Sequence, residues 1–468
     1  MKFLNVVTVF IFFSVNSYCQ SSQSVKLDSL FTMLHAQNQF NGEILIAEKG
    51  TVIFQKGYGF SDEATKKTID EKTIFELASC SKQFTGAAIV LLKREGKLDY
   101  ADKLSKHIPE LSFWENVTLY DLLRHTSGIP DFLSGMSKDW DRSAIASNED
   151  VIEYYASKKD TLDFEPKSIH RYSNTNYVLL ASIIERVSGK KYGDYLAEKI
   201  FRPLKMNNTF VYNRRKNPAK VANYAIGYVW APGSFKKVTM ESPEYNDQMA
   251  YYLDGVEGAA KVNSNIGDIY KWIIALRNNT LFSQEEFDEM TRVTQTTKGK
   301  QIPYGFGFDV RKAENKMAFG HTGSWDGYTT LIYHDKLKDR TIIVLENFKM
   351  GVTATNNIFE ILDGNTLTVE YEKKIPMSEA SMIPFAGTYV DEKGNEHIIT
   401  YKDNHLIYNT KDIKWDMRFF PFNRNEFAAI RQGGTNGILK FTTSDNGDIK
   451  LEMLQYGNLV GSGIKKKS

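Results

Sequence analysis

Strand-forming patterns sit at the two ends of a long helical stretch, and this arrangement limits the fold more than any other feature of the sequence. Residues 42–60, "GEILIAEKGTVIFQKGYGF", alternate apolar and polar side chains around Lys49-Gly50, the pattern of a hairpin. From 73 to about 280 the chain reads as mainly helical; "NYVLLASIIERVSGKK" has apolar residues at helical spacing and stops at Gly189. Between 304 and 347 the strands return as "YGFGFDV", "KMAFGHTG", "YTTLIYHD" and "RTIIVLEN". The expected core is therefore an antiparallel sheet whose terminal segments pair, packed by helices, an α+β layout rather than alternating βαβ units. Residues 366–382 are charged and weakly patterned and read as a linker. Beyond them, "FAGTYV", "HIITYKDNHLIYN", "EFAAIRQ" and "ILKFTTSDNGDIKLEML" are short strands, with Asn446-Gly447 as a hairpin turn. Residues 383–468 are expected to form a small all-β barrel or sandwich domain.

At 468 residues the chain is too long for one ordinary core. Its net charge of +2 is spread over 59 basic and 57 acidic residues, which argues against nucleic acid or another polyanion as a partner. Lys2 and the apolar run Phe3 to Val15 are too short to span a bilayer. The run ends at Ser17-Tyr18-Cys19 before Gln20, which fits signal-peptidase cleavage, export to the periplasm or medium, and no stable membrane insertion afterwards. Lipidation of Cys19 is the weaker reading, because bulky Tyr18 precedes it. With residues 1–19 removed, Cys80 is the only thiol, so no internal disulfide is available. The expected division is signal peptide 1–19, main domain 20–365, linker 366–382 and β-domain 383–468.

The chemistry-bearing stretch is "FELASCSKQFTGAAIVLLKREGKLD". At about 100° per residue, Ser79 and Lys82 share one helix face, while Ser81 is turned roughly 160° from Ser79. If the helix begins at Ser79, the hydroxyl lies at the positive end of the macrodipole. The apolar run Ala87 to Leu92 marks the helix as buried, and a buried lysine has the lowered pKa that a base needs. Ser-x-x-Lys alone is weak, since it also occurs at Ser188…Lys191 and Ser462…Lys465. Two further elements follow in order: Tyr172-Ser173-Asn174 before a helix, and His321-Thr322-Gly323 at a strand end, the only His-x-Gly in the chain.

With these three motifs, residues 30 to 365 resemble the serine β-lactamase and penicillin-binding-protein superfamily, in its class C β-lactamase and D,D-carboxypeptidase branch. The flanking stretches "VTLYDLLRHTSGIPDF", "IFRPLKMNNTF", "GVEGAAKVNSNIGDIYKW" and "YGFGF" extend the resemblance. It implies a β-lactamase/D,D-peptidase-like fold and an exported serine hydrolase that acylates Ser79. Lys82 and Tyr172 would share general-base and general-acid work, and Asn174 would hold Lys82 and the substrate amide. His321, Thr322 and Gly323 would line the substrate, and the N–H groups of Ser79 and Ser324 would form the oxyanion hole. Cys80 and Ser81 are then bystanders.

The substrates implied are D-amino-acid peptides or small esters; a class C-like β-lactamase and a penicillin-binding sensor without turnover are the alternatives. Where many relatives carry lysine, this chain has His321, so little positive charge is expected for a substrate carboxylate except as pH falls through the histidine's ordinary value of about 6.5. The β-domain resembles the lipocalin-like extension of some relatives. His125 reads as structural; Trp325 and Asp326 read equally as cleft-shaping or as a solvated turn. Asp254 and Glu257 read as flanks of a tight glycine turn. No cofactor is implied, and no metal-ligand spacing is present.

Overall fold

Helix α1 (Ser22–Ala36) leads into β1 (Gly42–Glu48) and β2 (Thr51–Tyr58), which pair as the expected hairpin. The computed structural model describes residues 22–467 except 246–248, 314–315, 350, 352, 368–370, 413–416 and 431–436. The segment read as a signal peptide, with Cys19, lies outside the described residues. The helical middle follows, with α2 (Lys82–Arg94) and α3 (Asn174–Ser188) packed on each other, a two-stranded ribbon of β3 (Val229–Trp230) and β4 (Lys237–Val238), and α4 (Ile266–Arg277). Strands β5 (Asp309–Ala313), β6 (Lys316–Trp325), β7 (Tyr328–Asp335) and β8 (Arg340–Glu346) then return, followed by α5 (Thr355–Asp363).

The two strand blocks close one antiparallel sheet in the order β5-β6-β7-β8-β1-β2. Its central register sets Ile44 against Val344 and Ile46 against Ile342. Because side chains alternate, Leu45, Ile343 and Leu345 enter the large core with α2 and α4, while Ile44, Ile46, Ile342 and Val344 enter a second core under α1 and α5. Burial on both faces explains why the middle of β1, Ile44 to Ala47, is a continuous apolar run.

The C-terminal strands, from Gly387–Val390 to Asn458–Lys465, form a closed barrel of eight strands. Its interior is filled by Tyr389, Ile399, Leu406, Phe419, Phe427, Leu439, Phe441 and Leu451, all buried. The stretch read as a linker is fastened at several points. Lys374 N donates to Gln37 Oε1 (2.6 Å) and Ile375 N to Pro421 O (2.9 Å). Glu379–Met382 is a short helix capped by Ser378, and Met382 is part of the barrel core.

Candidate active site

The chain reaches Ser79 in a way that local sequence does not show. Phe75–Glu76 is a strand paired with Val262–Ser264, so the backbone is extended through Glu76 and turns at Leu77. Ala78 then takes φ = 49°, a left-handed conformation that costs a non-glycine residue about 1–2 kcal/mol. One 3-10 turn, Ala78–Ser81, precedes the α-helix, which begins at Lys82 and not at Ser79. The turn is held by β6. A Cβ on Gly323 would stand 2.5 Å from Leu77 O and 2.3 Å from Thr330 Oγ1, so only glycine lets the strand pass this close. β5 pairs with β6 only as far as Gly320, which leaves the edge of residues 321–325 beside Ser79 outside that ladder.

Lys82 is fully buried, and its Nζ lies 3.2 Å from Ser79 Oγ, 2.9 Å from Asn174 Oδ1 and 2.8 Å from Ala259 O. The last two can only accept. A neutral amine has two N–H bonds and one lone pair, so these acceptors turn the lone pair toward the Ser79 hydroxyl. Burial lowers the Lys82 pKa to about 7, against the opposing pull of Asp131. Asp131 fixes the Asn174 amide: its Oδ2 accepts from Asn174 N and Nδ2, both at 2.9 Å, which leaves Oδ1 for Lys82. Gly258, next to Ala259, is pinned to α2 by Thr85 Oγ1, which donates to its carbonyl at 2.7 Å. Asp131 and the Ala259 carbonyl were not singled out from sequence; "SGIPDF" holds Asp131 but gives no hint of its reach across the site.

Tyr172 stands at the cleft mouth, 37% exposed as a whole, with its hydroxyl turned inward to Ser79. Burial of that end pushes the phenol well above its ordinary value, so it stays protonated. Lys82 Nζ is 4.9 Å from its ring centroid. His125 braces this segment: its carbonyl accepts from Arg171 N (2.9 Å), its Nδ1 accepts from Ser173 N (3.2 Å), and its ring lies 4.3 Å from the Tyr172 ring. Burial, then the nearby Lys82, holds the His125 pKa well below the usual value, which fits the structural reading.

Three expectations change. The His321 imidazole is buried and does not line the cleft. Its Nδ1 is 2.5 Å from Thr322 O, an acceptor only, so Nδ1 carries the hydrogen and Nε2 accepts from Tyr304 OH at 2.9 Å. Burial, with Lys82 nearby, lowers its pKa to about 3, so the expected titration near neutrality is lost. Asp326 is no solvated turn. It is fully buried and bound by Arg215 through two 2.7 Å contacts, with Arg214 at 3.3 Å. Asp254 does more than flank a turn, since it joins the same ionic cluster through Lys261 (2.9 Å) and Arg215 (3.3 Å).

Cys80 and Ser81 have structural partners. The thiol donates to His321 O at 3.2 Å, and Ser81 Oγ accepts from Val262 N at 3.1 Å. Thr322 is exposed on the strand edge, and Ser324 and Trp325 line the cleft with Ser79, Tyr172, Asn174 and the apolar side chains of Phe132, Leu133, Leu253 and Val256. Among the described lining residues the one lysine is Lys261, which is held by Asp254 and Glu76. Among the described residues no group of His, Cys, Asp or Glu side chains is placed to hold a metal ion, and no helix is long and apolar enough to cross a membrane.

The sequence profile of the family described as Beta-lactamase matches residues 27–363. Penicillin-binding protein 4* of Bacillus subtilis (strain 168) is 32% identical over 410 residues, covering 86% of this chain and 90% of that protein. Among solved structures, the octameric penicillin-binding protein homologue from Pyrococcus abyssi superposes with a TM-score of 0.65 at 24% identity, covering 94% of this chain and 99% of that one. D-amino acid amidase from Ochrobactrum anthropi SV3 superposes with a TM-score of 0.60 at 22% identity over 74% of this chain and 99% of its own. At these identities the two structures speak for the fold.

Proposed function

Since the chain belongs to the beta-lactamase family of serine hydrolases, we propose that it cleaves neutral ester or amide substrates of the D-aminoacyl or small-ester type through an acyl-enzyme on Ser79. The observation that carries this reading is a buried Lys82 whose Nζ stands 3.2 Å from Ser79 Oγ and whose pKa is lowered by burial to about 7, so that a neutral amine is available beside the hydroxyl near neutral pH. Lys82 takes the hydroxyl proton as Oγ bonds the substrate carbonyl carbon. The oxyanion is received by the N–H groups of Ser79 and Ser324, a contribution of about 3–4 kcal/mol per donor in comparable sites. As the carbonyl–leaving-group bond breaks, Tyr172 gives its phenolic proton to the departing group and regains one from the Lys82 ammonium. Water then repeats the cycle on the acyl-enzyme, with Lys82 again as base, and frees the acid.

Substrate charge is argued from the lining. Apolar side chains dominate it, Lys261 is already paired, and His321 stays neutral, so a substrate carboxylate meets no free cation among the described lining residues. This favours esters, amides and peptides without a nearby carboxylate over penicillins as turnover substrates. A second reading, acylation by penicillin with slow release, draws on the printed name of the Bacillus relative. Export after removal of residues 1–19 completes the proposal, with a small molecule or peptide as the substrate. The test is intact-mass spectrometry of wild type and Ser79→Ala over time, with a fluorophosphonate, a D-phenylalanine amide or ester, and a penicillin. Stable labelling by the fluorophosphonate, transient acylation with product release from the ester, and no adduct on Ser79→Ala are expected. A long-lived penicillin adduct with no turnover of any ester or amide would favour the sensor reading. An adduct that persists on Ser79→Ala would overturn both.

A further inference from the structure

We propose that the C-terminal barrel positions the apolar wall of the cleft at Trp325, acting through the β3–β4 ribbon, with Arg418 as the positioning residue. The ribbon consists of two paired residues on each side, Val229 with Val238 and Trp230 with Lys237. A ribbon this short has no stability of its own, so its position is set by what holds its two faces. Its inner face carries Val229, Ala231, Val238 and Met240, and Trp325 packs against that cluster. Its outer face carries Trp230, which packs on Phe348 of the main domain and has Arg418 of the barrel over its ring, and the Phe235 of its turn, which meets Phe420, Ala428 and Ile430 of the barrel.

On the barrel strand Met417–Pro421, alternation sends Phe419 inward, so Arg418 and Phe420 face out. Arg418 is 2% exposed; its Nη2 donates to Ala231 O at 3.0 Å, and its guanidinium lies 5.3 Å from the Phe235 ring and 5.8 Å from Trp230. The His405 ring stacks on Phe235 at 3.9 Å. The ribbon is in turn locked to the turn after Trp325 at both of its ends. On entry, backbone packs directly on backbone: a Cβ on Gly227 would stand 2.1 Å from Asp326 O, and one on Gly327 would stand 2.4 Å from Tyr228 N. On exit, Glu241 bonds Arg214 (3.0 Å) and Arg215 (2.7 Å), the same arginines that hold Asp326. A shift of the barrel therefore moves the ribbon, and the ribbon carries Trp325 with it. Of the residues that bear the proposed reaction, Ser79 sits on the 3-10 turn, Lys82 on α2, Tyr172 just before α3 and Asn174 at its start, and Ser324 on the strand edge next to Trp325; neither Arg418 nor Phe235 is among them.

The kinetic arm of the test rests on the hydrolase reading; the exchange arm does not. In the full chain, Arg418→Met is compared with Arg418→Lys, which keeps a cation over the rings, and with Phe235→Ala, which cuts the same contact from the other side. Hydrogen exchange followed by mass spectrometry is expected to speed up about tenfold or more in residues 225–231 and 323–328 of Arg418→Met and Phe235→Ala, with 42–58 unchanged and Arg418→Lys close to wild type. For p-nitrophenyl esters, KM of a hexanoyl ester is expected to rise about fivefold while kcat and KM for the acetyl ester and the pH profile stay put. Faster exchange spread evenly over the chain, or none at 323–328, overturns the proposal, as does an equal loss on both esters. If wild type turns over neither ester, the hydrolase reading fails, and the exchange pattern alone decides this one.

Discussion

Ser79, Cys80 and Ser81 sit in one turn, and their surroundings rather than their order separate them. The Cys80 thiol donates its hydrogen to His321 O, and burial pushes its pKa up to about 12, so thiolate is scarce at neutral pH. Cys80→Ala is expected to keep most of the activity and to cost about 1–2 kcal/mol in lost packing. Ser79→Ala is expected to keep the fold and lose all labelling by a fluorophosphonate; the reverse pattern would make Cys80 the nucleophile. Lys82 should leave two marks on pH. Activity depends on the neutral amine, so kcat/KM is expected to climb about tenfold per unit below pH 7 and to level above it, with no step from His321. For stability the sign follows from the depressed pKa: between about 7 and the unfolded value of about 10.4, the unfolded chain holds the proton that the folded one has lost. Unfolding free energy therefore rises with pH across that window by up to about 1.4 kcal/mol per unit, and the penalty is complete below it. Urea denaturation at several pH values should show a flatter slope in Lys82→Met than in wild type; equal slopes would mean a lysine that titrates as if exposed. Ser79, Lys82, Tyr172 and Asn174 were legible because spacing and motif are local. Asp131 was not, since it acts on Asn174 across 43 residues, and the Ala259 carbonyl has no side chain to read.

At the scale of elements, the sequence showed which segments are strands and helices more clearly than where they begin. The helix expected from Ser79 starts at Lys82 because the preceding residues are drawn into a strand pair with Val262–Ser264, a contact 187 residues away that no local window contains. The sharp turn this forces is spent at Ala78, and β6 closes on it through Gly323. A methyl group there must displace backbone, since Leu77 O is the atom it meets at 2.5 Å. Gly323→Ala is expected to lower stability by about 1–3 kcal/mol and kcat/KM by about a hundredfold, because the strand edge and Ser79 would no longer keep their spacing. Measured melting and ester hydrolysis check both numbers. Full activity in this variant would show that the substrate strand need not lie so close to the turn.

For the whole molecule, the pairing of the strand blocks at 42–58 and 309–346 followed from their patterns, but the docking of the barrel did not. Its trace is visible in hindsight. "RFF" and "FAAI" carry apolar side chains on both faces, and a barrel strand that is apolar outside as well as inside has something to cover it. The inward set, Phe419, Phe427 and Ala429, builds the barrel core; the outward set, Phe420, Ala428 and Ile430, meets Phe235. A main domain and a barrel that each have their own core residues, joined by a small contact, predict two unfolding units that stabilise each other. The full chain should melt in two transitions. A chain ended after residue 376 should keep the main transition at a temperature lower by several degrees, because uncovering Phe235 and the side of Trp230 that faces Arg418 forfeits about 2–3 kcal/mol of burial. The loss should be local: limited proteolysis is expected to cut the shortened chain first within 231–236, where the ribbon has lost its outer cover, while the sheet and α2 stay protected. An insoluble shortened chain would mean that the two cores fold as one unit. A shortened chain as stable as the whole, with the ribbon still protected, would mean that the hydrolase domain holds the ribbon without help, and that the barrel contact does not set its position.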